Sequence, residues 1–232
     1  MDVSVIVRTK DRAALLVRAL HSLSGQTSKN FEVIIINDGG DIDSVENVIA
    51  GYGLLELLLV NNSSSIGRSK AFNQGLRMAR GTFIACLDDD DTYEARFIER
   101  MADQLRRAIA ADPLVGGIIC RCNEVYEELV DPKPKNYLNF QKNIKILKND
   151  VLEQYNSANN YVSPFKYYIG SENFLPVQTL FRRDLMLANG GFAEANDVLE
   201  DRPLYQKIVA AHKIVVLDEQ VANHHTRVSK EG

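Results

Sequence analysis

The sequence predicts an α/β fold with a mostly parallel central sheet flanked by helices and one irregular excursion. Three observations predict it. Over residues 1–126 short apolar runs alternate with helical patterns, as repeated βα units require. Composition is that of an ordinary globular domain, 45% hydrophobic and 25% charged. A chain of 232 residues is long enough for one domain with a large core. The apolar runs fall at 3–7, 31–36, 54–60, 82–87 and 114–120. Between the first two, Asp11 is placed to cap a helix whose Leu15, Leu16, Ala19, Leu20 and Leu23 share one face, with Gly25 ending it. Further helices are expected at 44–49, at 69–79 closed by Gly81, and at 94–110 closed ahead of Pro113. After Tyr126 the composition changes. Residues 127–175, with Asp131-Pro132-Lys133-Pro134-Lys135-Asn136 and the polar stretch 156–160, form the irregular excursion or lid. Order returns with a strand at 177–181, a Gly190-Gly191 turn, a helix over 202–211 and a last strand at 214–217.

Charge excludes some partners. With 27 Lys+Arg against 31 Asp+Glu, a net charge of −4 and no basic run, the chain lacks the clustered cations that neutralise phosphates, so no nucleic acid is expected. No stretch approaches the roughly 20 apolar residues of a membrane span, and the chain opens on a strand-like run instead of a cleavable signal, which predicts a cytoplasmic location. Cys86, Cys120 and Cys122 lie in apolar runs as reduced, buried thiols. Cys120-x-Cys122 has no second Cys/His pair of suitable spacing with which to hold a metal.

The sharpest chemical feature is Asp88-Asp89-Asp90-Asp91, directly after the run at 82–87. Four adjacent carboxylates suit a solvated acidic turn, or a seat for a hard divalent cation that removes their repulsion and draws phosphate oxygens. Ligands of open α/β sheets bind at the carboxyl ends of strands, and that position favours the second account. Asn37-Asp38-Gly39-Gly40 is a tight turn by composition, yet Asp38 too projects from a strand end, where it can accept from a base N–H or a ribose hydroxyl. Thr9 shares that rim. Gly67 opens a helix carrying Arg68 and Lys70, which offers free N–H groups and positive charge to an anion. Glu200-Asp201 begins the helix containing Pro203, where acids also stabilise the helix dipole. His224-His225, followed by Arg227, suits a solvent-exposed tail or a metal ligand.

Taken in order, these segments resemble the inverting nucleotide-sugar glycosyltransferases of family 2, whose fold is of the GT-A type. The resemblance runs through residues 3–12, Gln26-Thr27, 31–39, Asn62, Gly67 to Asn73, 79–91, Phe181-Arg182-Arg183, Gly190-Gly191-Phe192 and Glu200-Asp201. It implies a single nucleotide-diphospho-sugar transferase domain, with 1–126 as the nucleotide-binding half and 127–232 as the acceptor-binding and catalytic-base half. It assigns Thr9 and Asp38 to the nucleobase and ribose, with Arg12 on the same rim, and Gly67, Arg68, Lys70 and Asn73 to the donor phosphates. Asp88 and Asp90 form the Asp-x-Asp pair: Asp90, with Asp88, holds Mn²⁺ or Mg²⁺, while Asp88 or Asp89 reaches the ribose or donor sugar. Asp201 is the implied catalytic base and Glu200 its acidic neighbour. His225 is implied as a further metal ligand, with Arg227 near the diphosphate. Arg8 stands where the family usually has Pro, and Phe72 where Arg often precedes Asn73. The implied reaction moves a sugar, from a UDP-sugar by preference, to a hydroxyl of a glycan or lipid-linked saccharide in surface polysaccharide synthesis. A lipid-linked acceptor calls for peripheral association at the inner face of the membrane.

Two other classes share parts of the pattern. A non-catalytic nucleotide- or glycan-binding module would keep the rim without needing Asp201. A haloacid-dehalogenase-like phosphatase would use Asp88 as nucleophile and Asp90 as acid/base, but there the acidic motif follows the first strand and here it follows the fourth apolar run. A nucleotidyltransferase would need a glycine-rich, arginine-bearing loop after Val7, which is missing.

Overall fold

The computed structural model describes residues 1–53, 56–130, 144–152, 160–196 and 198–228. Strands β1 (Val3–Thr9), β2 (Phe31–Asp38), β3 (Leu57–Asn62) and β4 (Phe83–Asp88) lie in the order β3-β2-β1-β4, all parallel. The other strands are β5 (Thr92–Tyr93), β6 (Val115–Leu129), β7 (Ile144–Leu152), β8 (Thr179–Arg182) and β9 (Lys213–Arg227). From β4 the sheet continues through β8, β6, β9 and β5, with β7 on β6. β8 runs antiparallel to both neighbours, while β6 and β9 form a long parallel ladder. Parallel ladders carry most of the pairing.

Alternation along the strands splits the core between two faces. Val3, Val5 and Val7 of β1, Val33 and Ile35 of β2, and Ala85 and Leu87 of β4 pack beneath α1 (Ala13–Ser24), α2 (Ile42–Ala50) and α4 (Phe97–Ala111). Ile6, Ile34, Ile36, Ile84 and Cys86 face the other way, toward α3 (Arg68–Met78), α5 (Pro164–Tyr168), α6 (Arg183–Ala188) and α7 (Arg202–Ala211). Both faces are covered, which is why these strands read as unbroken apolar runs. All three cysteines are free and buried.

Several sequence expectations change. Asp11 does not cap α1. The N-cap is Arg12, and Asp11 sits at φ 54 with its carboxylate accepting the Asp41 N–H at 3.0 Å, tying the β1 and β2 loops together. The last strand runs from Lys213 to Arg227 instead of stopping at 217, so His224 and His225 belong to the sheet, not to a tail. Its polar interruption, Asp218-Glu219-Gln220, is carried across register shifts in β6 at Cys120–Cys122 and paired with Arg121 and Arg100. The division at 126/127 falls inside β6, and part of the expected excursion is the antiparallel strand β7. The turn-forming stretches at 131–136 and 156–159 lie outside the described residues.

Candidate active site

Register brings the first pair of site residues together. Arg8 and Asp88 are partners across the β1–β4 ladder, one step past Val7 and Leu87, so both project on the face of α3 and α7. The Arg8 guanidinium donates from Nε and Nη2 to the two Asp88 oxygens, both at 2.8 Å. Its Nη1 donates to Glu200 at 3.1 Å and to the Arg68 carbonyl at 3.2 Å. Arg8 is 5% exposed, with its guanidinium carbon 5.7 Å from the centre of the Phe192 ring. Burial alone would lower its pKa. Asp88, Cys86 and Glu200 outweigh that and leave it raised, so the cation is permanent. One side chain therefore ties the end of β4 to the acids ahead of α7.

Asp38 ends β2. Its carboxylate accepts from Ser65 Oγ at 2.7 Å, from the Ile66 and Gly67 N–H groups at 2.8 and 3.0 Å, and from Asn62 at 3.3 Å. Burial pushes its pKa up, and these donors overcome that and hold it below the usual carboxylate range. Asp38 thus organises the loop that leads into α3. Gly39 lets the loop approach: at φ 80, a Cβ on it would stand 2.4 Å from the Ser65 nitrogen. Gly39→Ala is expected to cost about 2 kcal/mol or more in stability, measurable by urea unfolding, because both the backbone angle and the space exclude a methyl group.

The turn after β4 carries the other acids, each with a cationic partner. Asp89 is fully buried and pairs with Arg12 at 2.6 Å; burial raises its carboxyl against that pull. Asp90 receives Arg12 Nη1 at 3.0 Å and Arg227 Nη2 at 3.1 Å, both on Oδ2. Asp91 meets His224 Nδ1 at 3.1 Å and the His225 N–H at 3.0 Å. Burial would lower the His224 pKa, but Asp91 raises it. The repulsion within the acidic run is thus answered mainly by arginines from β1, the β1–α1 loop and β9.

A cleft of about 560 Å³ opens between these groups, lined by Arg8, Thr9, Lys10, Arg12, Asp38, Ser65, Gly67, Arg68, Ala71, Asp88, Asp90, Asp91, His224 and Arg227. Asp201 is half-buried at the N-cap of α7 and makes no capping hydrogen bond. Burial, with smaller contributions from Glu200 and Asp88, lifts its pKa to about 6. Glu200 is engaged by both Arg8 and Arg68, at 3.1 and 3.3 Å. The two acids follow Leu199, a bulky residue held at φ 53, the strained backbone that functional loops tolerate.

Glu200 and Asp201 do not themselves line the cleft, Glu200 being joined to it through Arg8 and Arg68, and four further expected site residues are placed elsewhere. Asp89 is buried under Arg12 and cannot reach a ribose or donor sugar. Asn73 is buried beneath the turn at Gly191, accepting the Phe192 N–H at 2.8 Å and donating to the Phe192 carbonyl at 2.9 Å. Lys70 is exposed on α3 and does not line the cleft. His225 points away: its Nδ1 meets Glu127 at 2.9 Å and its Nε2 meets Thr92 at 3.0 Å. Glu127 also pairs with Arg18, whose Nη2 donates to the Asp90 carbonyl at 2.5 Å, so His225 buttresses the acidic turn from below. Alternation along β9 decides which histidine faces the cleft, and it is His224. Sequence reasoning missed Arg18, although an arginine amid the apolar stripe of α1 was a visible signal.

Among the described residues no group of three His, Cys, Asp or Glu side chains is placed to hold a metal ion. The donor set at the cleft is Asp88 and Asp90, hard oxygen ligands with side chains 27% and 21% exposed. One or two carboxylates suit Mg²⁺ or Mn²⁺ arriving with a diphosphate and keeping waters, and do not suit an ion caged by protein alone.

The sequence profile described as glycosyl transferase family 2 matches residues 4–166, well over half of the chain. The chain belongs to this family. An uncharacterized glycosyltransferase of Bacillus subtilis, YwdF, is 36% identical over 108 residues, covering 47% of this chain and 40% of the relative. A PGL/p-HBAD biosynthesis glycosyltransferase of Mycobacterium bovis is 33% identical over 121 residues, covering 51% of this chain and 47% of the relative. The chain thus spans less than half the length of these family 2 relatives. S. aureus TarS in complex with UDP-GlcNAc superposes with a TM-score of 0.71 at 19% identity, over 99% of this chain and 60% of that one. The mannosyltransferase PcManGT of Pyrobaculum calidifontis, solved with GDP-Man and Mn²⁺, gives 0.66 at 23% identity, over 99% and 58%. These neighbours establish the GT-A-type fold. Glu200, Asp201 and β9 lie past the matched residues, and their place in the site rests on the contacts above. Among the described residues no helix is long and apolar enough to cross a membrane.

Proposed function

We propose that this chain is the catalytic part of an inverting glycosyltransferase that moves a sugar from a nucleotide-diphosphate donor, a UDP-sugar by preference, to a hydroxyl of a glycan or lipid-linked acceptor in surface polysaccharide assembly. Family membership and the glycosyltransferase relatives support the reaction class. The observation that carries the mechanism is the contrast within Glu200-Asp201. Glu200 is committed to two arginines, whereas Asp201 makes no capping bond and its pKa is raised to about 6, the setting of a general base working near neutral pH.

In this reading Asp38, Thr9 and the loop through Gly67 receive the nucleoside, and Arg12, Arg68 and Arg227 face the diphosphate. Asp201 removes the proton of the acceptor hydroxyl as its oxygen bonds to the anomeric carbon, and the bond to the diphosphate breaks on the opposite side. Mn²⁺ or Mg²⁺, held by Asp90 with Asp88 beside it, would offset charge on the departing diphosphate. Arg8 engages both oxygens of Asp88, which occupies the lone pairs a nucleophile would use. The expected product has the anomeric configuration opposite to that of the donor, read by proton NMR of the new linkage; retention would contradict the single displacement.

The pH dependence follows from the sign of the Asp201 shift. A base must be deprotonated, so kcat/KM climbs about tenfold per pH unit below the pKa and levels off above about 6. A rate profile flat from pH 5 to 8 would remove Asp201 as the base.

A further inference from the structure

The two acids of the Asp-x-Asp pair are held by arginines of different kinds. Asp88 is clasped through both oxygens by Arg8, whose side chain is 6% exposed and is also tied to Glu200. Nothing arriving in the cleft can take that guanidinium without unpairing two carboxylates. Asp90 instead shares Oδ2 between Arg12, anchored by the buried Asp89, and Arg227, which is 39% exposed at the end of β9. A diphosphate offers Arg227 a stronger, bidentate partner than one shared carboxylate oxygen.

We infer that Arg227 masks Asp90 in the unliganded protein and passes to the donor diphosphate on binding, so that the cation site at Asp90 opens only with the nucleotide. This rests on the reading that a nucleotide diphosphate and a divalent cation share the cleft. It assigns the metal to Asp90 over Asp88, and it makes Arg227 a gate that opposes the metal before the donor enters and holds the donor afterwards. Reciprocity follows, since whatever factor the nucleotide adds to metal affinity, the metal adds to nucleotide affinity.

The test titrates MnCl₂ into the whole chain, counting free Mn²⁺ by electron paramagnetic resonance, with and without UDP or GDP. Wild type is expected to bind Mn²⁺ alone at least about tenfold more weakly than in the presence of nucleotide. Arg227→Gln, although it weakens nucleotide binding, is expected to bind Mn²⁺ alone about fivefold more tightly than wild type, the scale of one ion pair. Lys10→Gln removes another cation of the cleft rim and is expected to change Mn²⁺ affinity by less than twofold. Unchanged or weaker Mn²⁺ binding in Arg227→Gln overturns the gate, and so does an equal gain in Lys10→Gln, which would reduce the effect to the general field. If neither UDP nor GDP binds wild type at any Mn²⁺ concentration, the transferase reading falls, while the comparison with Mn²⁺ alone still decides the masking.

Discussion

Asp201→Asn is expected to lower kcat by about 10²- to 10⁴-fold, the usual contribution of a positioned general base, while UDP or GDP affinity stays within about twofold. The substitution is nearly isosteric and costs no helix cap, because Asp201 makes none. It leaves the residues lining the nucleotide cleft untouched. What it removes is the capacity to accept a proton, and Glu200 cannot take over while Arg8 and Arg68 hold both of its oxygens. Thermal stability should not fall, because the neutral amide replaces a carboxylate that burial disfavours. Steady-state kinetics, nucleotide titration and a melting curve on the same preparation separate these statements. A variant that keeps more than a tenth of wild-type kcat would place the base elsewhere.

Arg8→Met is expected to be the most damaging single change to stability at the site, at about 3–5 kcal/mol, the cost of leaving buried charge without its partner. For a chain of this length that is a fall in melting temperature of roughly 10 °C. The methionine fills much of the same volume, so packing is not the cause. Asp88 loses its partner, Glu200 keeps only Arg68, and the Arg68 carbonyl loses its donor. Neutralising both acids together, as Arg8→Met with Asp88→Asn and Glu200→Gln, should recover most of the loss, because no buried charge is then stranded. A loss below about 1 kcal/mol for Arg8→Met alone would mean that solvent reaches and screens these groups.

The parts of this molecule that were legible in its sequence are those in which one segment suffices. β1, β2 and β4 are apolar on both faces, so each shows as an unbroken run, and the acids that follow are placed at the sheet edge by that fact alone. β9 was read short because Asp218-Glu219-Gln220 interrupts its pattern, and only pairing across the irregular register of β6 carries it to Arg227. The choice between His224 and His225 depends on the same strand, since parity along it decides which ring meets Asp91 and which is buried against Glu127. From the sequence, the acidic run is a seat for a divalent cation that relieves its repulsion. The structure balances it with Arg8, Arg12, Arg227 and His224, residues from two segments more than 200 positions apart whose convergence no local pattern encodes.

On the proposed function, this site turns over a nucleotide-diphosphate sugar with Asp201 as base. The direct measurement is release of nucleotide diphosphate from a panel of UDP-, GDP- and dTDP-sugars with Mn²⁺ or Mg²⁺, run side by side on wild type and Asp201→Asn. Wild type is expected to release nucleotide diphosphate from at least one donor, and the variant to lose that release with nucleotide binding intact. No release from any donor, or equal release by both proteins, would contradict it.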